Sequence, residues 1–147
     1  RKKFYSKLVK RAKSLKLCAP VGPLYKLKKA GYKLIVVSNA ESSFVKASAK
    51  ALGVTNLFHE LYGAEGFKTK DEFLEKLFKK HKIKATEAMY VGDRFSDVDY
   101  AKAAGCLSVA IQNKCSWSTR KEIMAEKPDY IVQTFEDLKK LVEKING

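Results

Sequence analysis

No apolar run in this sequence exceeds four residues; LIVV at 34–37 is among the longest, whereas a bilayer-crossing helix needs roughly 20. The sequence therefore predicts no membrane span. Cysteine is sparse. Cys18, Cys106 and Cys115 are odd in number and lack metal-ligand spacing, which predicts reduced thiols in an intracellular, cytoplasmic protein rather than a disulfide framework. Arginine is scarce too, at four of the 30 basic residues. Base readout draws on the bidentate guanidinium fork, so specific nucleic-acid recognition is disfavoured while loose phosphate attraction stays open. Internal repeats and low-complexity linkers are also missing.

What is present is a chain of 147 residues, 46% of them hydrophobic, enough for one domain with one sizeable core. Its net charge of +14 is unevenly spread. Residues 1–16 hold eight basic side chains and no acid, which leaves +6 for the remainder. In that segment Phe4, Leu8, Arg11 and Leu15 recur near helical spacing, so residues 1–17 are predicted to be a basic arm with an amphipathic helix over 4–16. Residues 18–147 are predicted to form the core domain.

Along the core, short apolar runs alternate with helical patterns, which indicates a parallel sheet with helices on its faces. The run KLIVVS is nearly unbroken and β-branched, as expected of a strand covered on both sides. Strands are predicted at 33–37, 60–62, 88–91, 107–111 and 129–132. Helices are predicted at 22–30, 42–52, 70–81, 97–104, 119–126 and 135–145. Thr69 with Glu72, Thr119 with Glu122 and Thr134 with Asp137 fit the capping-box spacing, and Gly31, Gly53 and Gly105 fall where helices stop. The predicted fold class is α/β, a doubly wound, Rossmann-like parallel sheet, and such sheets bind ligands at the carboxyl ends of their strands.

Three polar groups fall at those ends. Asp93 follows the strand 88–91 behind Gly92, and Asp97 opens the next helix, so both carboxylates can face one point above the sheet. Paired acidic oxygens completed by water and a phosphate suit Mg²⁺, although Asp at a helix start is also a routine cap. Asp99 points elsewhere on the helix and reads as surface. Ser38 and Asn39 end another strand, where a hydroxyl beside free N–H groups can hold a phosphoryl oxygen or simply close a turn. Lys68 and Lys70 precede a helix, and either ammonium could neutralise a phosphate. His59 and His81 have no Ser or Cys partner in a recognisable context and read as surface or satisfied histidines. Cys115 and Arg120 sit one residue too close for a cysteine-phosphatase loop.

Taken together, YKLIVVSNA and the stretch from KTKDEFLEKLF through MYVGDRFSDVDYAKAAGCLSVAI resemble the haloacid dehalogenase-like superfamily of phosphohydrolases over roughly residues 18–145. The resemblance implies Ser38 and Asn39 on the phosphate and Lys70 as the motif lysine, with Lys68 in reserve. It also implies Asp93 and Asp97 as the Mg²⁺ ligands in GDxxxD. The implied chemistry is phosphoryl transfer from a small phosphorylated metabolite through an aspartyl-phosphate, with Ser38 and Lys70 in the catalytic machinery.

One departure matters. The family's nucleophile lies in a DxD motif on a central first strand, and residues 1–32 contain neither that motif nor an obvious strand. The sheet is therefore expected to lack its middle strand in this chain, leaving two apolar edges for another chain or an N-terminal segment to complete. The basic arm would then be a cap remnant or an addition. The alternative expectation is a catalytically incomplete structural or binding subunit whose basic surface meets nucleic acid or an acidic assembly.

Overall fold

The computed structural model describes residues 6–9, 20–116 and 118–146, the first group as backbone only. Six parallel strands are set by their apolar runs: β1 (Ser6–Val9), β2 (Lys33–Val37), β3 (Glu60–Tyr62), β4 (Ala88–Gly92), β5 (Leu107–Ile111) and β6 (Tyr130–Val132). Six helices connect or follow them: α1 (Gly22–Lys29), α2 (Ser42–Ala51), α3 (Lys70–Lys80), α4 (Phe95–Ala104), α5 (Arg120–Ala125) and α6 (Phe135–Asn146). The strand order is β3-β2-β1-β4-β5-β6, a doubly wound sheet whose order reverses at β1.

Two cores form because β2 and β4 send alternate side chains to opposite faces. Leu34, Val36, Met89 and Val91 pack with Leu24, Leu27, Val45, Leu138 and Val142 from α1, α2 and α6 on one face. Ile35, Val37, Ala88 and Tyr90 pack with Phe73, Leu74, Leu77, Phe78 and Ala101 from α3 and α4 on the other. Burial on both faces explains the unbroken apolar character of the run at 34–37.

The three predicted capping boxes fare differently. Thr119 and Glu122 cap α5 reciprocally, the Thr119 Oγ1 accepting from Glu122 N at 3.2 Å and the Glu122 carboxylate from Thr119 N at 2.8 Å. Thr134 accepts from Asp137 N at 3.0 Å, and the Asp137 carboxylate reaches back one residue further, to Gln133 N. Thr69 makes no side-chain cap on α3. Gly105 ends α4 at φ 80°, a left-handed conformation that favours glycine.

The N-terminal segment differs from the sequence expectation. Where a helix over 4–16 was predicted, Ser6–Val9 form β1, paired in parallel with both β2 and β4. The middle position is therefore filled by this segment rather than left open. Two adjacent apolar strands each present a row of backbone donors and acceptors, and satisfying both rows outweighs a weak helical periodicity. The remainder of residues 1–17 lies outside the described residues.

Candidate functional site

Each candidate group enters the site from the end of a strand or the start of a helix. After β2 the chain leaves the sheet at Ser38, which is buried; Asn39 beside it is exposed. Ser38 N donates to Tyr62 O at 3.0 Å and Ser38 Oγ accepts from Ala40 N at 3.1 Å, which fixes the hydroxyl at the strand end. After β4 the chain leaves at Gly92 and Asp93. Val9 pairs with Val36 on one side and Val91 on the other, so Ser38 and Asp93, each two residues further on, stand at one level flanking β1. Adjacent strands lie about 4.8 Å apart, so those two strand ends are separated by about 10 Å, within reach of one ligand between them.

Lys70 and Asp97 meet at that level. The buried stripe of α3 runs Lys70, Phe73, Leu74, Leu77, Phe78, so helical spacing carries Lys70 onto the core-facing side one turn above Phe73 and Leu74. Its Nζ lies 3.5 Å from Asp97 Oδ1, with the two side chains 1% and 3% exposed. Lys68, in contrast, is exposed. Asp97 Oδ2 accepts from Arg94 N at 3.1 Å, and its Oδ1 accepts from the Tyr90 hydroxyl at 3.3 Å. Burial, with the Asp97 charge beside it, pushes the Tyr90 phenol well above its ordinary range, which keeps it protonated as a donor.

Gly92 makes this packing possible. A Cβ there would lie 2.3 Å from Asp97 Oδ2 and 2.5 Å from its Cβ and Cγ. Only a residue without a side chain lets the α4 carboxylate fold back against β4. Gly92→Ala is expected to cost about 1–3 kcal/mol of unfolding free energy in urea titration, because Asp97 must move.

Two contributors carry no signal in the local sequence. Ser118 is buried, its N donating to Asp93 O at 3.1 Å and its hydroxyl accepting from Phe95 N at 3.0 Å, so a loop 25 residues downstream tethers the Asp93 turn. Tyr100 places its ring centroid 5.4 Å from Lys70 Nζ, within cation–π range, and Tyr90 stands at 6.0 Å. Asp99 is exposed, as expected, and Trp117 lies outside the described residues.

The donor set fits a hard divalent cation. Asp93 and Asp97 are carboxylates at 7% and 2% exposure, with the Lys70 ammonium 3.5 Å from Asp97 Oδ1 and Ser38 across β1. Among the described residues the donors at this place are oxygens rather than sulfur or imidazole, the chemistry of a hard divalent cation. Cys106 offers no competing nucleophile. Burial pushes the Cys106 thiol up to about 12.

A second polar cluster lies on β3. His59, Glu60 and His81 hold their ligand atoms within 4.8 Å of one another. Cations already surround the carboxylate: Lys80 Nζ is 3.0 Å from Glu60 Oε2, His81 Nε2 is 3.1 Å from Oε1, and Lys33 Nζ is 3.3 Å from His81 Nδ1. Burial alone would raise the Glu60 carboxyl, but hydrogen bonds from Tyr62, Lys80 and His81 outweigh it and hold it at about 2. A depressed folded value means that this stabilisation is complete above the ordinary carboxylate value and fades as pH falls toward 2. Between pH 5 and 2, the melting temperature of Glu60→Gln should fall less steeply than that of the parent protein.

A doubly wound parallel sheet with two carboxylates, a buried lysine and a serine beyond its strand ends defines a Rossmann-like α/β domain, a class whose ligands bind at such a switch point. Comparison with known proteins makes the family specific. The profile of the haloacid dehalogenase-like hydrolases matches residues 2–111, and the chain belongs to that family. It is 30% identical over 122 residues to a phosphoglycolate phosphatase of Vibrio parahaemolyticus, covering 81% of this chain and 53% of that protein. It is also 30% identical over 126 residues to a pyrophosphatase of Bacillus mycoides, covering 82% and 57%. The chain thus spans about half the length of the curated relatives it matches. Among solved structures, a Haemophilus somnus protein described as a predicted phosphoglycolate phosphatase superposes with a TM-score of 0.77 at 28% identity, over 84% of this chain and 56% of that one. Among the described residues, no helix is long and apolar enough to cross a membrane.

Proposed function

We propose that this chain is the phosphoryl-binding core of a Mg²⁺-dependent phosphatase acting on a small phosphorylated metabolite. The observation that carries the reading is the buried Lys70–Asp97 pair beside Asp93, at the level of Ser38 across β1. In this reading Asp93 and Asp97 hold the cation, which when bound supplies charge neutralisation to the phosphoryl oxygens. Ser38 donates its hydroxyl to one phosphoryl oxygen, Asn39 closes the same loop, and Lys70 offsets the charge that builds up at phosphorus.

The nucleophile comes from outside these residues. No carboxylate precedes Glu41 in the sequence, so β1 and the loop after it carry no acid to attack phosphorus. We assign that role to an aspartate that these 147 residues do not include, on a segment that would take the central slot held here by Ser6–Val9. Its carboxylate displaces the alcohol to give an acyl phosphate, and water then cleaves that bond to release orthophosphate. The names of several relatives make a short phosphorylated carboxylic acid such as phosphoglycolate the first substrate to try.

The test is orthophosphate release from phosphoglycolate and p-nitrophenyl phosphate by the full-length protein, with Mg²⁺ present and with the ion chelated. Metal-dependent release is expected. Its absence from the full-length protein would leave the reading of a non-hydrolytic binding subunit.

A further inference from the structure

We propose that Tyr90 is a positioning residue for the Lys70–Asp97 pair: its hydroxyl sets the carboxylate and its ring, with that of Tyr100, forms the wall that keeps the ammonium at the site. This rests on the functional reading above and goes beyond it by adding a residue that does not touch substrate.

The geometry begins with spacing. Tyr90 lies three residues before Asp93 on β4, so the alternation of the strand sends its side chain toward α3 and α4, the face that also carries Lys70 and Asp97. There it is 1% exposed, and its hydroxyl meets Asp97 Oδ1, the same oxygen that lies 3.5 Å from Lys70 Nζ. The other carboxylate oxygen is held by Arg94 N. Donors on both oxygens fix the carboxylate plane as well as its position. Above the pair, the Tyr100 and Tyr90 ring centroids stand 5.4 Å and 6.0 Å from the ammonium. A lysine has four rotatable bonds and loses its precision when its surroundings loosen, so these aromatic walls and the fixed carboxylate decide where its charge sits.

An ordinary core tyrosine would need only a partner for its hydroxyl. Here that partner belongs to the proposed ion and phosphate site, so Tyr90→Phe separates the two roles: the ring, the volume and the cation–π contact remain while the donor goes.

Two readouts test the proposal. In the full-length protein, Tyr90→Phe should lower kcat about tenfold and raise the half-activating Mg²⁺ concentration several-fold, with KM changed by less than about twofold. In the chain itself, the Lys70 ammonium should give a slowly exchanging signal in a ¹H–¹⁵N spectrum tuned to lysine side chains, and Tyr90→Phe should shift it and speed its exchange with water. If kcat, Mg²⁺ dependence and the ammonium signal all match the parent, the proposal is overturned and Tyr90 is packing alone. Should Tyr90→Phe fail to fold, Tyr100→Leu on the half-buried side of α4 must shift the same signal, and an unchanged signal there overturns the proposal equally. A different outcome tells against the functional reading instead: metal-dependent turnover that survives both Asp93→Asn and Lys70→Met.

Discussion

Lys70→Met is expected to cost the protein about 3–5 kcal/mol of stability, and to reduce phosphate release by the full-length protein about 10²–10³-fold. The stability loss follows from burial. Methionine matches the lysine stem in length and packs against Phe73 and Leu74, so little shape is lost; what changes is that the Asp97 carboxylate at 2% exposure loses the Lys70 ammonium. The double variant Lys70→Met/Asp97→Asn should recover more than half of that loss, since the amide carries no charge and its oxygen can still accept from Arg94 N. Recovery of stability without recovery of turnover is the expected pattern, because in the proposed reading the Lys70 ammonium also meets the charge of the reacting phosphate. Urea titrations of the parent, both single variants and the double variant measure the first half, and steady-state kinetics the second.

Asp93→Asn should have the opposite profile. Turnover is expected to fall about 10³-fold or more, because a neutral amide binds a hard divalent cation far more weakly than a carboxylate. Stability should stay within about 1 kcal/mol of the parent, since the substitution is isosteric and the backbone bond from Ser118 N to Asp93 O is kept. A large loss of stability with modest loss of turnover would identify Asp93 as structural. The contrast between the two variants is more informative than either alone: one residue trades in both folding and chemistry, the other in chemistry only.

Much of this arrangement was legible because local chemistry and global fold agree along most of the core. The stripe Phe73, Leu74, Leu77, Phe78, extended back by one turn, puts Lys70 rather than Lys68 on the buried side of α3. The run at 34–37 read as a doubly covered strand, and Gly31, Gly53 and Gly105 all adopt positive φ where helices were predicted to stop. The strand Ser6–Val9 was not legible. Its four residues carry no alternation strong enough to compete with the helical spacing of Phe4, Leu8, Arg11 and Leu15, and only the slot between β2 and β4 dictates an extended backbone. Tyr90 and Ser118 were hidden for another reason. A tyrosine inside an apolar strand reads as core, and a serine 25 residues beyond Asp93 has no local pattern to tie it to the site. Their roles depend on α4 folding back over β4 and on the β5–α5 loop returning to the Asp93 turn, contacts that exist only once the sheet has formed.

The chemistry also explains why the first 40 residues matter to any assay. They contain no carboxylate, so in the proposed reading this chain holds the ion and phosphate while the attacking aspartate lies elsewhere. Binding and turnover are therefore separable: binding should be measurable in the chain itself, turnover only with the segment that supplies the aspartate.

Binding is the more direct of the two. A crystal of this chain soaked with Mg²⁺ and orthophosphate should show the ion against Asp93 and Asp97, with a phosphate oxygen on Ser38 Oγ and another on Lys70 Nζ. Phosphate found instead among exposed lysines such as Lys68 and Lys76, with no ion at the two aspartates, would contradict the assignment of this site.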